Sequence, residues 1–243
     1  MENLNKNRFS YFALLSPDPI YIPNAGSILS PRLKDISAIG FHTYQYYLSV
    51  LLMNEKTFSS LSQSNIFDLF MADESSALLL KDVLNFFIKE EIVHPPEHNC
   101  LLARNGDSVT GIITGENYPQ ICDVICQRNY IRSAFKEDPS KIKSKKASEI
   151  VRKLQQGRAK KAARTSPDEN MELGNIISAV ANKSQSLNIL NIWDLTVFQV
   201  WDCFARLSNN SIYDIQSMSV AAWGNKNNSF DASAWYKRIY TEN

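Results

Sequence analysis

Between Leu190 and Leu207 the chain reads LNIWDLTVFQVWDCFARL, the stretch that makes the strongest demand on any fold. Asn191, with Asp194 three residues on, predicts a helix start close to a capping box. On that helix Trp193, Val197, Val200, Phe204 and Leu207 share one face. Ile192, Leu195, Phe198, Trp201 and Ala205 cover much of the rest. A helix apolar nearly all round has to be covered on most sides. The cover is predicted to be the core of a C-terminal unit. A unit of about 75 residues has a limited core of its own, and aromatics are enriched as interface anchors. Trp193 and Trp201 are therefore candidate partner-binding residues.

Upstream, helical spacing dominates. Ser30-Pro31 predicts a helix start, with Ser as N-cap and Pro in the first turn. Leu33, Ile36 and Ile39 follow, with a pause at Gly40 and a resumption through Tyr44, Tyr47, Leu48, Leu51 and Leu52. Residues 64–72 and 73–92 are both helical in pattern. The second has Asp73 and Glu74 at its start, where the helix dipole favours acids, and Pro95-Pro96 is expected to end it. Two pieces read as β. Ile20–Ile22 and Ser27–Leu29 flank an Asn-Ala-Gly turn. Asn105-Gly106 joins two β-like runs, as in a type I′ hairpin, which places Arg104 opposite Asp107 and Leu102 opposite Val109. Helix returns at Pro119. Further helices are predicted from Met171, near Ile212–Ala222, and near Ser233–Tyr240. The fold class is mainly α (α+β): a helical scaffold with a small N-terminal β segment, a central β-hairpin and a C-terminal helical unit. The predicted organisation is an α+β unit over 1–135, a basic helix and linker over 136–169, and the helical unit over 170–243.

Charge is distributed unevenly. The whole chain carries a net +1, yet 141–164 holds ten Lys/Arg and one acid, a local +9 that leaves −8 for the remainder. Within it Ala147, Ile150, Val151 and Leu154 form a narrow apolar stripe, so 145–163 reads as an exposed helix. Lys145, Lys146, Arg152, Lys153, Arg158, Lys160 and Lys161 are candidate partner-binding residues there. They could dock on an acidic protein surface or contact phosphates as a nucleic-acid-binding segment. No aromatic interleaves these charges to stack bases, so nucleic acid is the alternative partner.

Several classes are disfavoured. The chain lacks the phosphate-binding glycine loops and the Gly-x-Ser-x-Gly nucleophile elbow, and no enzymatic activity is expected. His94, His98, Cys122 and Cys126 have spacings a metal site could use, but Pro95-Pro96 interrupts the His pair. Cys122 and Cys126 read as small buried residues on one helix face. No metal or cofactor is predicted. No apolar run of about 18 residues is present, so no membrane span is expected. Met1–Asn7 is polar and the apolar run Tyr11–Leu15 is too short for the apolar region of a signal peptide, so no secretory signal is read there.

Two segments together carry a resemblance. IYIPNAGSILSPRLKDISAIGFHTYQYYLSVLLM resembles the opening of small tail-morphogenesis proteins of tailed bacteriophages. NIWDLTVFQVWDCFARL, YDIQSMSVAAWGN and FDASAWYKRIY resemble the C-terminal part of proteins from the same kind of gene neighbourhood. The resemblance implies a tail assembly chaperone or a minor tail or baseplate protein. Its partners would be a phage tail or tape-measure protein, and copies of itself. Its location would be the host cytoplasm or the virion.

Overall fold

A computed structural model describes residues 9–53, 65–131, 169–225 and 230–239. In chain order the helices are α1 (Tyr11–Leu15), α2 (Leu33–Ile39), α3 (Phe41–Leu51), α4 (Ile66–Met71), α5 (Glu74–Phe87), α6 (Tyr118–Arg128), α7 (Leu173–Lys183) and α8 (Val197–Trp223). The strands are β1 (Ile20–Ile22), β2 (Gly26–Ile28), β3 (Glu91–Val93), β4 (Leu101–Asn105) and β5 (Ser108–Ile113). The fold is α+β and mainly helical, as the sequence pattern predicts. Among the described residues no helix is long and apolar enough to cross a membrane.

Side-chain caps set several helix starts. The side chains of Ser10, Asn65 and Asp73 accept from the N–H groups of Ala13, Phe67 and Ser76 at 3.2, 3.1 and 2.9 Å. Each satisfies a donor that the first helical turn leaves unpaired. The start of α2 differs from the Ser30-Pro31 expectation. Arg32 is drawn into an antiparallel bridge with Thr196, and Leu33 N–H donates to Leu195 at 2.9 Å. The helix therefore begins at Leu33, where Asp35 accepts the Arg32 N–H at 2.9 Å. Gly40, at φ +87°, separates α2 from α3 as expected.

Helix α5 also stops earlier than its pattern implies. Its buried face is Ala77, Leu80, Val83, Leu84 and Phe87. Beyond it Ile88 bridges to Ile28, and β3 occupies part of the stretch read as helix. Glu90 accepts from the Ser27 N–H and hydroxyl at 2.7 and 2.9 Å. Tertiary pairing with β2 thus overrides a local preference that would carry the helix on to Pro95.

Strands β1 and β2 form one hairpin, and β3, β4 and β5 form an antiparallel sheet in that order. Asn85 on α5 brackets Ile92 of β3, accepting its N–H at 2.8 Å and donating to its carbonyl at 3.0 Å. On the far side the Asn24 carbonyl accepts from Ile112 N–H at 2.9 Å. Gly111 permits this approach, since a Cβ there would lie 2.7 Å from the Asn24 oxygen.

The hairpin at Asn105-Gly106 exists with a different register. Asn105 pairs with Ser108, Arg104 with Val109 and Leu102 with Ile112, after a bulge between Ala103 and Arg104. The central turn residues are thus Gly106 and Asp107. Gly106 has φ +59° and Asp107 does not share the positive φ, the pattern of a type II′ turn. Burial selects this register. It places Leu101 opposite Ile113 and Ala103 opposite Gly111 on the covered face, and a slip by one residue would turn them outward.

A single apolar cluster joins the regions on either side of 132–168. Ile22, Leu33, Leu84, Phe87, Ile121 and Val124 belong to it, and so do Ile176, Val180, Ile192, Val197 and Val200. Direct bonds support the cluster: Gln199 donates to the Leu15 carbonyl at 2.9 Å, and the Tyr11 hydroxyl donates to Asp202. Arg128 is a fully buried side chain at the end of α6, and its guanidinium donates to the carbonyls of Ser16 and Asp18. The loop after α1 is thereby tied to the same core.

Candidate partner-docking surface

The aromatic stretch splits into two elements instead of one helix. Ile192–Asp194 is a single 3-10 turn, and Leu195 returns to extended backbone. Asn191 makes no cap. Its side chain accepts from Asn188 N–H at 2.7 Å and donates to the Ser186 carbonyl at 3.1 Å. Thr196 is the true N-cap. Its hydroxyl accepts from Gln199 N–H at 3.3 Å, and Gln199 accepts from Thr196 N–H at 2.9 Å. This reciprocal capping box fixes the start of α8. The interruption arises because Leu195 and Thr196 pair with the Arg32 region, which holds them extended.

Trp193 and Trp201 therefore sit in different settings. Trp193 lies on the 3-10 turn and is 37% exposed. Next to it Asp194 takes a 2.7 Å bond from Lys34, which holds its carboxyl below the usual range. Trp201 is half-buried and lies flat on Tyr130. The candidates Lys145, Lys146, Arg152, Lys153, Arg158, Lys160 and Lys161, and the helix predicted over 145–163, lie outside the described residues.

Helix α8 is 27 residues long, about 40 Å at the α-helical rise. Its first turn is core, with Val197, Phe198 and Val200 buried. Helix α7 packs against it through a face containing Ile176, Ile177, Val180 and Ala181. Where α7 ends, a shallow cavity of about 230 Å³ opens between Ala179, Lys183, Phe204, Leu207 and Ser211. Past that point the core-facing side of α8 runs on uncovered by any described residue. Ile212, Ile215, Met218 and Trp223 are 57%, 65%, 64% and 76% exposed. Between Ser208 and Asn225 the only charged residue is Asp214.

A different side of α8 is occupied. Asn209 donates to the Ala234 carbonyl and Arg206 to the Lys237 carbonyl, each at 2.8 Å. The rings of Tyr213 and Phe230 lie 5.5 Å apart. The segment 230–239 thus wraps one side and leaves the apolar stripe open. A solvated helix face ordinarily carries charge, so an exposed and nearly neutral apolar stripe is a candidate interaction surface. Sequence reasoning reads a helix at Ile212–Ala222 but does not select its residues. Their signal is the near absence of charge together with apolar residues three and four apart.

The groups considered for chemistry lie elsewhere. Cys122 and Cys126 are buried on α6, and burial pushes the Cys126 thiol up to about 12. Among the described residues no group of His, Cys, Asp and Glu is arranged to hold a metal ion.

Residues 160–240 match the model of a family described as the YomV second domain. The match covers about a third of the chain and takes in α7, α8 and the segment that wraps α8. No curated protein and no solved structure matches the chain.

Proposed function

We propose that this chain is a bacteriophage-associated, non-enzymatic protein that binds a component of tail assembly through the open face of α8. The observation that carries the reading is the stripe of Ile212, Ile215 and Met218 on a helix with one charge over its exposed half. The likeness of this same region to the YomV second domain supports a phage setting. The resemblance of the opening segment to tail-morphogenesis proteins, and of the closing segments to proteins from the same kind of gene neighbourhood, supports the tail role. Binding of this kind needs a rigid helix rooted in a core and an adhesive end, and both are present on α8.

The test is capture from cells producing phage particles. The full chain and an Ile215→Glu/Met218→Glu variant are compared as bait. Retention of a tail protein by the first and not by the second supports the reading; equal retention, or none, sinks it. The alternative, nucleic-acid binding, rests on the charge of 141–164 alone. It requires DNA affinity that falls steeply with salt and is untouched by Ile215→Glu.

A further inference from the structure

We infer, resting on the docking surface proposed above, that until a tail component takes that face α8 pairs with α8 of a second copy of this chain in an antiparallel, two-fold contact over residues 208–223. The order of side-chain sizes argues for this occupant. Ile212, Ile215, Ser219 and Ala222 recur at spacings of three, four and three, the a and d positions of one heptad frame. All four are exposed. The two large residues come first and the two small ones last.

In an antiparallel pair, position a of one helix stacks with position d of the other. Ile212 then meets Ala222 of the second copy, and Ile215 meets Ser219. Every layer combines one large and one small side chain, the arrangement that fills space without overpacking. A parallel pair would set Ile on Ile at one end and leave Ser on Ser and Ala on Ala at the other. The stripe is thus complementary to itself under a two-fold axis, as an isologous interface requires. Met218 flanks the seam near that axis, so two flexible thioethers meet there.

Charge permits the same pairing. Asp214 lies outside the a and d seam, about 100° around the helix from Ile215 and one turn before Met218. Two copies therefore approach without like charges in the seam, and the stripe offers no charge pattern to select an oppositely charged partner. Area sets the strength. Sixteen residues span about 24 Å, and a helix face about 10 Å wide covers on the order of 250 Å² per copy. The total of about 500 Å² falls short of the roughly 1,000 Å² of a stable specific interface, so a weak dimer that dissociates on dilution is expected.

The test uses the full chain. Sedimentation equilibrium over a range of roughly 1–200 µM should give a mass rising from 27.6 kDa toward twice that value. Ile215→Glu should remain a monomer throughout, with an unchanged circular dichroism spectrum, because Ile215 is exposed. Orientation is read by mixing Ile212→Cys with Ala222→Cys under oxidation. The mixture should cross-link while neither variant alone does so beyond the wild-type level. A wild-type chain that stays monomeric to the highest concentration overturns the dimer, and so does a dimer indifferent to Ile215→Glu. Cross-linking of Ile212→Cys with itself overturns the antiparallel orientation. A monomer that still captures a tail protein through Ile215 would sink self-association and leave the proposed function standing. A dimer that captures nothing would do the reverse.

Discussion

Tyr130 lies flat against Trp201, with ring centroids 5.7 Å apart and ring planes 13° from parallel. Tyr130 also closes α6. Its N–H donates to Gln127 and the Ile131 N–H to Cys126, the paired bonds of a Schellman motif. The residue at that position takes a left-handed conformation, φ +60° here, and is usually glycine. A side chain in a disfavoured backbone conformation is therefore held by stacking on a different helix.

This arrangement predicts an unusual order of substitutions. Tyr130→Ala loses the contacts with Trp201 and Phe198 and keeps the left-handed backbone. Tyr130→Gly loses the same contacts but relieves a strain of about 1 kcal/mol. The glycine variant should be the more stable of the two by about that amount in urea unfolding. Equal midpoints would mean that the backbone at 130 is unstrained.

The hairpin turn is tested at Gly106. A Cβ there meets nothing within 4 Å, so only its φ of +59° resists substitution. Gly106→Val should cost about 1–2 kcal/mol, whereas Gly106→Asn, which tolerates positive φ, should cost only a few tenths. Thermal melts of the two variants separate a backbone effect from a packing effect.

At Gly111 the expectation reverses, because the obstacle is a neighbour. The Asn24 carbonyl carbon and oxygen lie 2.8 and 2.7 Å from where a Cβ would be. Gly111→Ala should push the β1–β2 turn away from β5 and cost about 1–3 kcal/mol. Faster amide exchange at Ile112, whose N–H donates to Asn24, is the specific readout.

Alkaline conditions should weaken the fold through the thiols of α6. Burial raises Cys126 to about 12 and drives Cys122 up in the same direction. In the unfolded chain a thiol titrates at roughly 8.5. Their contribution is therefore intact below about pH 8.5 and declines above it, as the unfolded state releases protons that the folded state retains. A urea midpoint that stays flat between pH 8 and 10.5 would contradict this. With Cys122 and Cys126 buried and Cys100 and Cys203 partly open, Cys100 and Cys203 should react with a thiol reagent before either thiol of α6 in the folded protein.

The local code is legible where a residue acts on its own neighbours. Asp73 before α5, Gly40 between α2 and α3, and the β1–β2 turn are all readable in place. It misleads where a distant segment takes over a backbone. Residues 88–92 look helical until Ile28 pairs with Ile88. Asn191 looks like a cap until Leu33 draws Leu195 into extended pairing. Thr196 and Gln199 spell a capping box, yet the aromatic residues around them suggest a helix already under way. The stripe on α8 is partly legible: its spacing is visible, but that its cover ends with α7 is a tertiary fact.

The amide of Asn85 reaches further than its two bonds suggest. In an antiparallel ladder alternate residues turn their backbone groups away from the partner strand, and Ile92 is the middle residue of the outermost strand β3. Asn85 engages both its N–H and its carbonyl, leaving no free template for an incoming strand. The β3 edge is sealed there against growth by one side chain. Replacing that amide with a methyl group would expose an adhesive edge, and the cost would be read first in solubility.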